Sequence, residues 1–336
     1  MTQISTPGAG RAALDAYPSP DACSPGDAGA VRGADPSRDE GAPHQISQFQ
    51  RVVTLIVMLV PLAGLVAAMA YAWGWGFGWV ELGLLLGMYV LTGLGVTVGY
   101  HRLFTHKSFE TGRVLTAVFG ILGSMSVEGP VLRWVAFHRK HHQHSDRPGD
   151  PHSPHEHGEG VWATLKGFVS AHMGWMMRAS DVDVGRYVVD LRKRRLVRVV
   201  SALFPVWVLL SMLLPALIGG LVTLSWSGAL LGFLWGGLVR ILLVHHVTWS
   251  VNSVCHLWGT RPFKSHDESR NNPIVGVLAF GEGWHNNHHA FPTSARHGLR
   301  WWEIDTSYLV IWTLAKLGLV WNVRVPAPER VIAKRA

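Results

Sequence analysis

The sequence predicts an all-α integral membrane protein whose four transmembrane helices form two hairpins. Four stretches of about 20 apolar residues come in two pairs, each pair joined by a linker without Lys or Arg. About 20 helical residues at ~1.5 Å rise cross a hydrocarbon core of ~30 Å. The composition agrees: 48% of the 336 residues are hydrophobic and only 15% charged, too apolar for an ordinary soluble domain. Nine histidines fall into four tight groups, and two hairpins would set all four groups on one side of the bilayer.

Taken in order, residues 1–48 are rich in Ala, Gly, Pro, Ser and Asp and nearly lack large apolar side chains, so a disordered tail is expected. No basic segment precedes an early apolar run, so it does not read as a secretory signal. Spans are expected over residues 52–73, 79–99, 199–217 and 229–251, within a membrane domain of residues 49–320 that ends in a tail of residues 321–336. Trp73, Trp75, Trp79 and Trp226 stand where interfacial aromatics belong. Arg240 falls inside the fourth span and must face protein or water, because lipid exposure would cost several kcal/mol.

Residues 114–127 are apolar but short and end at Glu128, so they read as re-entrant, interfacial or buried rather than as a fifth span. A fifth span would also put His101 and His106 across the bilayer from His138. The loop over residues 133–198 carries Arg139, Lys140, Arg147 and the run Arg192, Lys193, Arg194, Arg195. The positive-inside rule assigns it, both termini and the histidine groups to the cytoplasm. Within it, residues 161–177 alternate apolar and polar as an interfacial helix does. The net charge of +8 flanks the apolar spans, which points to a membrane surface and an anionic substrate rather than nucleic acid.

The histidines carry the chemistry. His101 and His106 stand in HRLFTH, His138, His141 and His142 in HRKHH, His256 in NSVCH, and His285, His288 and His289 in HNNHH. On a helix, positions i, i+3 and i+4 share a face, so each H-x-x-H-H can aim three imidazoles at one point. Neutral imidazole ligates iron, copper, nickel and zinc. Eight or nine of them exceed what one ion uses, so the count argues for two metals. The groups carry Arg and Lys but few ligand-type carboxylates, unlike soluble carboxylate di-iron bundles. The chain also lacks the H-E-x-x-H of zincin hydrolases. Isolated His44, His266 and His297 read as surface or hydrogen-bonded residues. Cys23 and Cys255, far apart, indicate neither a disulfide framework nor a thiolate site.

Set around two hairpins, the boxes H-x4-H, H-x2-H-H and H-x2-H-H resemble those of the membrane-bound fatty acid desaturases. GYHRLFTHKSF, DPHSPH, TWSVNSVCHLWG and GEGWHNNHHAFP resemble more narrowly the acyl-CoA delta-9, stearoyl-CoA type, branch, over residues 51–319. The resemblance implies a cytosolic helical cap holding a histidine-rich di-iron site, two Fe2+ ions with O2 as co-substrate. It implies as ligands His101, His106, His138, His141, His142, His256, His285, His288 and His289, with Asn252 reaching one metal through water. His144, His152, His172, His245 and His246 are expected to hydrogen-bond around the site. The implied reaction puts a cis double bond, at delta-9, into a saturated long-chain acyl substrate, with acyl-CoA the expected carrier.

One departure bears on that carrier. Ala136 and Phe137 stand where animal members carry an Arg-Asp pair that contacts coenzyme A, so acyl carrier protein and intact lipid stay open beside it. With no H-P-G-G haem signature and no G-x-G-x-x-G after a strand, electrons are expected from a separate protein: a ferredoxin, cytochrome b5, or a flavin or iron–sulfur reductase. Two rivals use the same histidines. A di-iron hydroxylase acting on a lipid or alkyl chain shares the boxes, but the N-S-x-x-H element favours desaturation. A non-catalytic membrane protein that binds metal or haem would place its paired histidines within facing spans, where only His245 and His246 lie.

Overall fold

The computed structural model of the chain describes residues 46–72, 77–178 and 182–336. All but the last three residues of the expected N-terminal tail lie outside the described residues, as do Cys23, His44, Trp73 and Trp75. Four helices are long and apolar enough to cross a membrane: Gln48–Tyr71, Trp79–Thr105, Phe204–Thr223 and Trp226–Leu257. The second and fourth are an inner pair, with 50% and 61% of their most apolar windows buried against 17% for the other two. Arg113–Ser124, the contested stretch, is a 12-residue helix, too short to cross.

The inner spans overrun the sequence expectation. The second continues past Gly99 to Thr105 and the fourth past Val251 to Leu257. At 27 and 32 residues they reach roughly 40 and 48 Å, well beyond a ~30 Å core, and the excess length carries histidines clear of lipid. The third span starts later than expected. Residues 195–202 form a separate helix, α8 (Arg195–Ala202), whose Val197 and Val200 are buried in the cap core. The span proper, α9 (Phe204–Thr223), begins after Leu203 with Pro205 in its first turn, where a missing N–H costs nothing.

Small residues set how closely these elements approach. A Cβ on Gly219 would lie 2.3 Å from the Gly228 carbonyl oxygen, so α9 and the fourth span touch backbone to backbone. A Cβ on Gly95 would lie 2.3 Å from the amide nitrogen of Gly123. The glycines of the GLGVTVG stretch thus admit the helix α3 (Arg113–Ser124) against the end of the second span.

Arg240 is fully buried, as its place in the span requires. Its guanidinium donates to the carbonyls of Met125 at 2.9 Å and Ser211 at 3.1 Å and to the Ser211 hydroxyl. Its donors are met by neutral oxygens inside the protein.

Above the spans, α4 (Val131–His144), α5 (Val161–His172) and α13 (His285–Ala290) belong to a helical cap. Trp162 at 78% exposure and Val161 at 76% give α5 the apolar outer face of an interfacial helix. The C-terminal residues run along this cap. β2 (Val320–Trp321) pairs antiparallel with β1 (Glu110–Thr111). The Ala295 amide donates to the Arg324 carbonyl, and the Lys334 ammonium reaches the Ala290 carbonyl.

Candidate metal centre

Four elements deliver the nine histidines. The second span changes from α to π winding over Gly95–Thr105, and the His106 amide donates to the His101 carbonyl at 3.1 Å. Five residues of α-helix would turn the two side chains about 140° apart. The wider π turn instead brings their rings to 4.7 Å between centroids. His138, His141 and His142 ride on α4, His285, His288 and His289 on α13, and His256 on the last turn of α11 (Arg240–Leu257).

The nine form two groups rather than one cluster per motif. His101, His106, His138, His142 and His288 make the first, and His141, His256, His285 and His289 the second. Each H-x-x-H-H is therefore divided: the i and i+4 positions serve one group and the i+3 position the other, which corrects the expectation of three imidazoles aimed at one point. Within the first group, Nε2 atoms stand 3.1 Å apart for His101–His288, 3.0 Å for His288–His142 and 3.1 Å for His142–His138. In the second, His285 Nε2 is 3.1 Å from the Nε2 atoms of both His256 and His289.

Hydrogen counting says what belongs between them. His256 and His289 give their Nδ1–H to Asp146 and Asp267, at 2.7 and 2.5 Å, so each ring in its neutral form presents a bare Nε2 lone pair. Burial lowers the His256 pKa but Asp146 more than offsets it, so a cation entering there displaces a proton. His285 Nε2 faces both lone pairs and carries at most one proton to offer. His101 is in the same state, its Nδ1 bound to Glu282 at 2.6 Å, and the buried His106 Nε2 has no hydrogen-bond partner among the described residues. Bare nitrogens gathered at this spacing suit a cation. Ligands at about 2.1 Å and right angles around one ion stand about 3.0 Å apart.

Electrostatics keeps the donors ready. Burial, reinforced by neighbouring imidazoles, holds His106, His138, His142, His285 and His288 well below the usual histidine range, so they are neutral and free to ligate. Burial pushes Asp146, Asp150, Asp267 and Glu282 up. The histidine each one faces, joined by further histidines and hydrogen-bond donors and, at Glu282, by Arg102, more than reverses it and holds the carboxyl below its usual range. These carboxylates orient the rings and fix which nitrogen carries the proton.

The fatty acid desaturase profile matches residues 74–324. The chain belongs to the fatty acid desaturase family. This desaturase is 44% identical over 283 residues to a hex-5-enoyl acyl-carrier-protein acetylenase of Moorena producens, covering 84% of this chain and 88% of that one. It is 39% identical over 262 residues to an sn-1 stearoyl-lipid 9-desaturase of Synechocystis, covering 77% and 76%. It is 38% identical over 286 residues to an icosanoyl-CoA 5-desaturase of Limnanthes douglasii, covering 83% and 72%. The protein is accordingly an oxidoreductase of lipid metabolism that acts on fatty acyl substrates.

Asn252, the tenth candidate, is half-buried one turn before His256 and lines a cavity of about 240 Å3. Its amide makes no hydrogen bond among the described residues. Val57, Phe137, Trp175, Phe204 and Trp249 supply apolar walls to the same cavity, and His138 opens onto it from the first group. Of the histidines expected around the site, His152 stacks against His141, His172 bonds Ser253 and His246, and His245 bonds the Ser126 carbonyl. His297, read as an isolated residue, is buried, and its Nδ1 meets Arg102 at 3.0 Å and Glu282 at 3.3 Å.

Sequence reasoning missed the four carboxylates. Asp146 and Asp150 follow the HRKHH box within eight residues, and Glu282 precedes HNNHH by three. The rule that a ligating histidine leans on a carboxylate offered a reason to look there. Asp267 lies 18 residues before His285 and gave no such sign.

Proposed function

We propose that this desaturase is an O2-dependent di-iron enzyme that introduces a cis double bond, at delta-9, into a saturated long-chain acyl-CoA. The observation that carries it is the division of nine convergent histidines into two adjacent groups beside an apolar cavity, which suits two metals and an alkyl substrate. His101, His106, His138, His142 and His288 would hold one iron and His141, His256, His285 and His289 the other, with Asn252 placed to hold a water. Bound iron, with O2, two protons, and two electrons from a separate donor protein, would supply the oxidising power to take one hydrogen from each of two adjacent methylenes, both oxygen atoms leaving as water.

The chain's own residues do the rest. Asp146, Asp150, Asp267 and Glu282 keep the imidazoles oriented and fix which ring nitrogen is left to face a metal. The aromatic walls strip water from the acyl chain and fix which carbons lie beside His138. Arg133 is exposed where it lines the cavity, stacks 5.3 Å over Phe137, and has no carboxylate partner among the described residues. It supports a substrate whose acyl group ends in an anionic carrier. The basic run at Arg192–Arg195 supports a cytoplasmic cap.

The test is a fatty-acid methyl ester profile, by gas chromatography with mass spectrometry, of cells expressing the chain beside a His141→Ala control. A new monoene absent from the control is expected, and derivatising it locates the double bond. A hydroxylated product would move the reading to a hydroxylase. Purified protein active with zinc and without iron would sink it.

A further inference from the structure

Glu128 is the one acid lining the cavity among the described residues, and its protonated form gives every close oxygen contact around it a hydrogen. The Trp134 Nε1–H must donate, and it does so to Glu128 Oε2 at 2.9 Å. Glu128 Oε1 meets the Thr248 hydroxyl in a short bond. That hydroxyl also lies 2.7 Å from the Val244 carbonyl, the back-bond a helical threonine ordinarily makes. Thr248 has a single proton. If it goes to Val244, the Oε1–Thr248 bond needs a proton from the carboxyl. The neutral acid satisfies every group: Trp134 donates to Glu128, Glu128 donates to Thr248, and Thr248 donates to Val244.

Among the described residues no cation bonds Glu128. Arg133, His138, His152 and His245 share the cavity wall but none bonds Glu128, and the Arg240 guanidinium is spent on Met125, Ser211 and Gly236. The Tyr100 hydroxyl is engaged by Ser124 and Gly129. On the elements that complete the wall, Thr54, Trp175, Met176 and Phe204 carry no ionisable group. Burial pushes the Glu128 carboxyl up to about 7, the Thr248 and Trp134 bonds opposing it. Trp134 in turn stacks on His138, 5.0 Å between centroids and 16° between planes. Glu128 therefore holds the ring that separates it from the first histidine group.

We propose that Glu128 works as an uncharged acid, a positioning residue that seats Trp134 and Thr248 in the acyl cavity, and that its ionisation weakens acyl binding. This rests on the cavity being the acyl site. A carboxylate there would face methylenes in place of water, and an apolar chain cannot solvate it.

The test pairs a spectroscopic readout with a kinetic one on the purified full chain. Infrared titration of the wild type is expected to show a protonated-carboxyl C=O band that fades as pH rises through about 7 and is absent from Glu128→Gln. This needs no turnover, so it stands even if the reading of the reaction fails. In turnover with a saturated acyl-CoA, the wild-type KM should rise about tenfold from about pH 6 to about pH 8, as the neutral fraction falls from about nine tenths to one tenth, with kcat at saturation little changed. Glu128→Gln, whose amide offers one donor to Thr248 and one acceptor to Trp134, should show a flat KM. Trp134→Phe, which keeps the ring but loses the donor to Oε2, should shift the rise to higher pH. A wild type without the band, or a KM profile shared by wild type and Glu128→Gln, overturns the proposal.

Discussion

The two histidine groups use one ligand type and are held in different ways. In the second group all four histidines are buried, and His141, His256 and His289 each lean on an aspartate. In the first, His106, His138 and His142 are half-buried, and among the described residues only His101 of the five leans on a carboxylate. A ring with its second nitrogen bound cannot rotate or change tautomer freely, whereas one held by packing alone can. The second group is a closed, preorganised cage. The first opens through His138 onto the apolar cavity proposed above to take the acyl chain. The difference teaches that carboxylate bracing is concentrated in one group and direct opening onto the cavity in the other.

Removing a ligand breaks the comparison most severely. His285→Ala takes away the nitrogen that faces both His256 and His289, and the desaturated product should disappear. Iron per chain, by plasma emission spectrometry, should fall from about two to about one, because a three-histidine remnant loses most of its affinity. Unchanged iron content would show that the groups are not separate metal sites.

The aspartates come next. Asp267→Asn and Asp146→Asn should each weaken metal retention about 10- to 100-fold, in the range of such partner losses, measured by titration against a competing chelator. Glu282→Gln should weaken it less, since it orients one histidine of five. Equal losses from all three variants would erase the contrast between the groups.

A smaller effect sharpens it. Iron release into chelator should follow two phases, the faster from the half-buried first group, and Asp267→Asn should accelerate the slower phase alone. A single phase would mean that the two groups exchange metal together. The smallest effect belongs to His172→Gln, outside both groups, which loses bonds to Ser253 and His246. Its cost should be about 1 kcal/mol, seen as a small fall in Tm with iron content unchanged.

The four spans and the types of ligand were legible because each depends on local chemistry, whereas the packing of the first span against the fourth was not. An apolar run long enough to span lipid announces itself, and imidazole clusters state a metal preference. Boundaries were less legible: Val199 reads as continuous with the third span, yet it belongs to α8, which Val197 and Val200 pin to the cap. The contested stretch at Val114 read correctly as too short to cross, although its packing against Gly95 and Gly99 was hidden.

By itself the sequence determined the membrane class, the histidine complement, and the motifs on which the chain resembles its family. Tertiary structure alone decided that His138 and His142 part from His141, that His288 parts from His285 and His289, and that Asp267 reaches His289 across 22 residues. The reason is physical. Spacing along a helix fixes only the face a side chain leaves from. Which group it joins depends on where neighbouring helices stop, and on the π turn that brings His106 beside His101, and packing between distant segments sets both.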